Sequence, residues 1–286
     1  MKYISNLHTH SIYCDGQNSI EENILYAIEK EFISLGFSGH SYLYFDEGCM
    51  SQENTIKYLE DIKKYKEIYK DKIQIYAGIE GDFYSNLNKE TDKDMHLDYR
   101  IGSVHCICDD SDVNNKKYFS IDMSKSKFDE VLQHFNGVKR VIELYFDNVI
   151  SMVKNQKPDI VGHLDLPRKY NFNKDYFTEE EDWYLDKVNE VLDVIKDSDC
   201  IIEVNTRKMS KDNMNACYPN INTIKEILKR DIPLTINTDA HSINGLDYFY
   251  SEAVEQLKNI GVKSIKMLID NSFKDIDIND VLKKVN

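Results

Sequence analysis

Seven short apolar runs punctuate this chain, and the rhythm they set limits its fold more than any other feature. They cover residues 3–7, 33–38, 73–79, 99–104, 159–162, 200–204 and 233–237. Each is short and several are rich in Ile and Val, as buried parallel strands are. Helical stretches fall between most of them. Ser19 and Glu22 have capping-box spacing and open a helix running to Lys30. Residues 53–70 are amphipathic, with Ile56, Leu59, Ile62, Tyr65, Ile68 and Tyr69 on one side. Residues 128–154 and 179–196 carry similar spacing, and 221–229 and 251–259 are shorter. Strands alternating with helices predict an α/β fold with a parallel sheet. Seven such units favour a closed or nearly closed barrel over an open sheet. No repeat of fixed period is present, and with only 11 Gly and 4 Pro there is no linker composition, so residues 1–286 read as one domain.

Composition excludes several classes of function. The formal charge is −14 and no long basic run occurs, so general nucleic-acid binding is not expected. No stretch of 18 apolar residues exists to span a membrane, and the opening MKYISNLHTH has no apolar core of a signal peptide. The six cysteines show no paired CxxC spacing, which reads as free thiols of a cytoplasmic protein rather than a zinc ribbon.

The residues that end the apolar runs carry the chemistry. They are His8 and His10, His40, Glu80, His105, His163, Asn205 with Arg207, and Asp239 with His241. Barrel enzymes place their reactive groups at the C-terminal ends of the strands. His8-Thr9-His10 at a strand end puts two imidazoles on one face, an arrangement suited to zinc, manganese or iron. Taken alone, such a pair is a weak signal, and Asp239-Ala240-His241 is no stronger. The combination is much more specific, because six of the eight histidines fall at or just past strand ends. His96 lies in a polar loop and His134 within a helical stretch, so neither is assigned a metal role. Asp15-Gly16 reads equally well as a turn dipeptide or as part of the site.

Together these segments resemble the polymerase and histidinol phosphatase (PHP) superfamily. The likeness runs from LHTHSIYCDG (7–16) through GHS (39–41), GIEGD (78–82), GSVH (102–105) and GHLD (162–165) to NTDAHS (237–242). Within the superfamily the chain is similar to the monofunctional histidinol-phosphatases, through GHLDLPRKY (162–170), EVNTRK (203–208) and Tyr218-Pro219. The resemblance implies a distorted (β/α)7 TIM-like barrel with three divalent metal ions at the C-terminal ends of its strands. By motif, His8, His10, Glu80 and Asp239 would hold the first metal. Glu80 would bridge to a second, also held by His105 and His163. Asp15, His40 and His241 would hold the third. Cys14 departs from the small polar residue expected before Asp15, and a thiol there is a possible point of oxidation.

The expected activity is hydrolysis of a small phosphate monoester, histidinol phosphate in particular, by a metal-bridging hydroxide. Three divalent cations outweigh Asp15, Glu80 and Asp239 and leave the centre at about +3, which attracts a phosphate despite the acidic surface. Arg168 and Arg207 are candidates for gripping the phosphate, since a guanidinium matches its geometry in a bidentate way; each could instead form a surface ion pair. Asp165 has three readings: proton donor to the leaving alkoxide, ligand to the substrate amine, or partner to His163. Other phosphoesterases of the superfamily, acting on nucleotides or phosphotyrosine, are the alternative. A non-catalytic metal-binding module is disfavoured because all nine ligand positions hold metal-competent residues.

Overall fold

The computed structural model describes residues 1–85, 95–112, 114–171, 173–211, 213 and 215–285. All seven apolar runs become strands of one parallel sheet. In chain order they are β1 (Lys2–Asn6), β2 (Phe32–Phe37), β3 (Gln74–Asp82), β4 (Tyr99–Ser103), β7 (Ile160–Val161), β8 (Ile201–Asn205) and β9 (Leu234–Asn237). Their spatial order is their sequence order. The helices between them are α1 (Ile20–Glu29), α2 (Gln52–Ile68), α3 (Lys125–His134), α4 (Val138–Gln156), α5 (Asp182–Lys196), α6 (Ile221–Lys229) and α7 (Tyr250–Asn259). The capping box of α1 forms as read: Glu22 N donates to Ser19 Oγ at 3.3 Å and Ser19 N donates to Glu22 Oε2 at 2.8 Å.

Between β1 and β9 the barrel nearly closes, and side chains do most of the joining. Leu7 N donates to Asn237 Oδ1 (2.8 Å) and Asn6 Nδ2 to Thr238 Oγ1 (2.7 Å). Just beyond the strands, Thr9 and Ala240 make one parallel bridge, with His10 N on Ala240 O (2.8 Å) and Ala240 N on His8 O (3.0 Å). This seam brings the first candidate ligands of the chain against the last.

Alternation along the strands explains how one barrel holds both a core and a site. Tyr76, Gly78, Glu80 and Asp82 share one face of β3; Ile201, Glu203 and Asn205 share one face of β8. Toward the N-terminal ends, the interior-facing residues are apolar. Leu7, Tyr76, Tyr99, Ile101, Ile160, Ile201 and Leu268 form a cluster distinct from the larger one between strands and helices. Toward the C-terminal ends the same faces turn ionisable. The Tyr99 ring crosses this plug, its hydroxyl donating to Leu7 O and Phe37 O, and it fits only because residues 36 and 78 are glycines. A Cβ on Gly78 would lie 2.3 Å from Tyr99 Cζ. Gly78→Ala is therefore expected to destabilise the fold by about 3 kcal/mol, the upper part of the overpacking range. Denaturant unfolding measures it, and a midpoint equal to wild type would refute the packing account.

Three features were not read from the sequence. The stretch 128–154 is two helices, broken at Gly137, whose φ of 125° suits glycine. The polar segment after His105 folds as an antiparallel hairpin, β5 (Cys106–Asp109) with β6 (Lys117–Ser120). A second hairpin, β10 (Ser264–Ile269) with β11 (Ser272–Asp277), supplies Leu268 to the plug. Its turn docks on β3 through Asp270 N to Gln74 Oε1 (2.7 Å). Among the described residues, no helix is long and apolar enough to cross a membrane.

Candidate metal centre

All nine residues singled out as ligands converge at the C-terminal end of the barrel. Glu80, the last-but-two residue of β3, lies at the middle. Its Oε1 faces His163 Nε2 (3.0 Å) and His105 Nε2 (3.4 Å), whereas its Oε2 faces His40 Nδ1 (3.0 Å), His8 Nε2 (3.2 Å) and His10 Nε2 (3.5 Å). Asp239 Oδ1 lies 3.3 Å from His10 Nε2, and Asp15 Oδ2 lies 2.9 Å from His241 Nε2. Three sets of donor atoms each fall within 4.8 Å of one another: His8, His10 and Asp239; His10, Asp15, His40 and His241; and His40, Glu80 and His105. His163 joins the last through Glu80 and lies 3.2 Å from His105 Nε2. This grouping differs in detail from the motif assignment, because His10 also faces Asp15 and His40 also faces Glu80. His96 is exposed in its loop, and His134 pairs with Asp109 at 2.7 Å, both away from the cluster.

Several buried atoms here fit a cation. His8 Nε2, His10 Nε2 and Glu80 Oε2 are buried and make no hydrogen bond although they face one another. Such atoms are costly unless something satisfies them, and a divalent ion accepts all three lone pairs. Charges in the cluster act on one another: burial opposes protonation of His8, His40 and His105, but the facing carboxylates raise all three, a positive charge that a bound cation would take over. Burial opposes ionisation of Glu80, but His8, His40 and His105 overcome it and hold its carboxyl well below the usual range. Burial and the neighbouring His241 and His40 push His10 down to about 4, leaving a neutral imidazole with a lone pair to give.

Around the cluster, acidic residues orient the histidines. Glu203 is fully buried in β8, and its Oε1 accepts from His8 Nδ1 (2.7 Å) and Asn237 Nδ2 (3.0 Å). Its Oε2 accepts from His163 N (2.9 Å) and Asn205 Nδ2 (3.0 Å). Asp82 Oδ2 lies 3.0 Å from His105 Nδ1. Sequence reading missed both, although a charged residue inside the run 200–204 was the available signal. Cys14 Sγ lies 3.5 Å from His10 Nδ1, and burial pushes its thiol up to about 11, away from the reactive thiolate.

A cleft of about 210 Å³ opens over the centre. Its walls include Arg207, Lys169, Lys208, Asp122 and Tyr218. Arg207 NH1 donates to Asp239 Oδ1 at 2.8 Å and lies 2.8 Å from His241 Nδ1, which puts its guanidinium on the face where the ligand candidates gather. Arg168 and Asp165 differ from expectation. Arg168 is 4% exposed and does not line the cleft; its Nε donates to Glu179 Oε1 (2.7 Å) and its NH1 to Asp165 Oδ2 (3.1 Å). Two carboxylates within reach of one guanidinium draw it inward, so it is not in place to grip a phosphate. Asp165 is likewise buried behind the wall, and burial lifts its carboxyl to about 6 against the pull of Arg168 and Asn220 N. Its contacts are with Arg168 and Asn220, not with the cleft. A larger cavity, about 630 Å³ between the ends of α4 and α5, is lined by Val153, Lys154, Pro158 and Cys200 and holds no such donor set.

Comparison with known proteins identifies the family and the fold. The PHP domain model matches residues 6–207. A histidinol-phosphatase of Bacillus subtilis is 25% identical over 268 residues, covering 87% of this chain and 97% of that protein. Among solved structures, a Listeria monocytogenes protein, provisionally a histidinol phosphatase, superimposes with a TM-score of 0.76 at 21% identity, over 87% of this chain and 99% of that one. A Lactococcus lactis histidinol phosphate phosphatase, solved with zinc, L-histidinol and phosphate, gives 0.68 at 17% identity, over 96% of this chain and 100% of that one. Since the family model spans more than half of the sequence, the chain belongs to the PHP domain family.

Proposed function

We propose that this protein is a metal-dependent phosphatase that hydrolyses L-histidinol phosphate to L-histidinol and inorganic phosphate. The observation that carries the reading is Glu80, whose two oxygens face separate histidine sets at the floor of a cleft walled by Arg207, Lys169 and Lys208. His8, His10, Glu80 and Asp239 would hold one cation, Glu80, His105 and His163 a second, and Asp15, His40 and His241 a third. Divalent ions of the zinc, manganese or iron type would supply a water of lowered pKa and offset charge on the phosphate oxygens. The protein's own groups do the rest. Lys169 and Lys208 add positive charge at the wall, and Arg207, which donates to Asp239 Oδ1, would turn its fork to phosphate where Asp239 serves as a metal ligand. Asp122, outside the ligand set, keeps its charge: burial opposes it, but His105, Lys169 and His163 prevail. An ionised carboxylate in that wall suits the ammonium group of an amino-alcohol phosphate. The activities named for the Bacillus and Lactococcus relatives support the same substrate. All six cysteines are free, which suits the reducing cytoplasm.

A phosphate-release panel tests this. Histidinol phosphate is expected to be the best substrate against nucleotides and phosphotyrosine, and equal rates on all three would leave only a general phosphoesterase. Arg207→Ala should lose about tenfold to a hundredfold in kcat/KM, the equivalent of roughly 1.5–3 kcal/mol, while keeping its metal. Arg207→Lys should recover only part, because a point charge does not reproduce the fork. Unchanged kcat/KM in Arg207→Ala would remove that residue from the site.

A further inference from the structure

Arg168 sits inside a closed ring of hydrogen bonds behind the cleft wall. Its NH1 reaches Asp165 Oδ2 (3.1 Å) and Cys217 O (3.2 Å), and its Nε reaches Glu179 Oε1 (2.7 Å). Asn220 completes the ring, donating from N to Asp165 Oδ2 (2.9 Å) and from Nδ2 to Glu179 Oε2 (2.8 Å) while its Oδ1 caps α6 through Thr223 N (2.8 Å). One buried cation thus ties together two stretches of chain 49 positions apart. The first is the helical turn Leu166–Tyr170, which carries Lys169 to the cleft. The second carries Tyr218, itself paired with Asn205 through Asn205 N to Tyr218 O (2.7 Å) and Tyr218 N to Asn205 O (3.0 Å). Buried ion clusters stabilise little by comparison with well-packed apolar groups, so a cluster in this place calls for a geometric role.

We propose that Arg168 is a positioning residue for substrate binding: its guanidinium locks the Lys169 turn to the Tyr218 segment and so sets the spacing of the two walls that receive the phosphate ester. This rests on the reading of the cleft as a phosphatase site. Arg168 acts through Lys169 and Tyr218 and touches no substrate itself.

The test uses the metal-loaded protein with Arg168→Lys, Lys169→Ala and the double variant, measuring steady-state kinetics on histidinol phosphate, inhibition by inorganic phosphate, metal content and thermal unfolding. Arg168→Lys keeps the buried charge but not the three-way fork. It should keep full metal content and raise both KM and the phosphate inhibition constant about tenfold, with kcat changed less than about threefold. In the double variant the two KM effects should fall short of their product, because Arg168 acts in part through the ammonium group that Lys169→Ala removes. Arg168→Met is the more severe change and serves only if it folds. A lowered melting temperature in Arg168→Lys with unchanged KM and phosphate inhibition would overturn the proposal, as would fully multiplicative effects in the double variant. Wild-type protein that releases no phosphate from any monoester would instead sink the phosphatase reading; phosphate binding measured by calorimetry would then still decide the role of Arg168.

Discussion

Exhaustive chelation is expected to abolish phosphate release, and readdition of one divalent metal to restore it. Phosphate-monoester hydrolysis is so slow without catalysis that no arrangement of Arg207, Lys169 and Lys208 replaces an activated water. Glu80→Gln isolates the centre of the argument. The carboxylate offers one oxygen to His163 and His105 and the other to His8, His10 and His40. An amide offers one oxygen and one NH2, so it cannot serve both sides. Loss of a residue that merely supports a ligand costs roughly 10–100-fold in affinity or activity, so loss of the shared ligand should exceed about a hundredfold in kcat. Folding should suffer less, since the isosteric amide leaves the packing intact. Turnover near wild type in Glu80→Gln, or in protein shown by elemental analysis to be free of metal, would refute the mechanism.

Glu203→Gln should be nearly as damaging, for a reason that lies in a proton. A carboxylate only accepts, so His8 Nδ1 must carry its hydrogen toward Glu203, and with a cation bound Nε2, which faces Glu80 and Asp239, would be the atom left with a lone pair to give. Glutamine has one acceptor. The backbone N–H of His163 cannot turn, so the remaining oxygen must stay on that side. The new NH2 then points at His8 Nδ1 and at Asn237 Nδ2, two former donors. His8 is forced into the other tautomer, with its proton on Nε2, where no metal can bind. Metal affinity by chelator competition should fall about 10–100-fold. Wild-type affinity in folded Glu203→Gln would show that the tautomer is set by something else.

Much of this site was legible because a strand end is a local feature. His8, His40, Glu80, His105, His163 and Asp239 each follow an apolar run, and a parallel barrel collects such ends at one rim whatever the details of packing. The pairing of the two ends of the chain across Thr9 and Ala240 follows from the same closure. What failed was what depends on distant partners. Arg168 looks in sequence like any arginine after a turn, and only Glu179, eleven positions on, together with Asp165 decides that it faces inward. Glu203 looks like an exposed acid within an apolar run until His8, 195 residues away, meets it. The hairpins β5–β6 and β10–β11 alternate weakly, because part of each faces solvent, and the break at Gly137 is a matter of one backbone angle.

The seam between β1 and β9 has a consequence for how the protein responds to its surroundings. A regular ladder is missing there; two asparagine side chains and one bridge hold the edges. His8 and His10 stand on one side of this joint, Asp239 and His241 on the other, and His10 and Asp239 approach to 3.3 Å across it. On the proposed metal assignment, an ion held by both sides would act as a rivet along this line. Above its dissociation constant, each tenfold rise in free metal adds about 1.4 kcal/mol to the folded state. Metal supply would then govern how long the protein lasts as well as how fast it works, and metal-starved protein should open first along this line, presenting β1 and β9 to proteases.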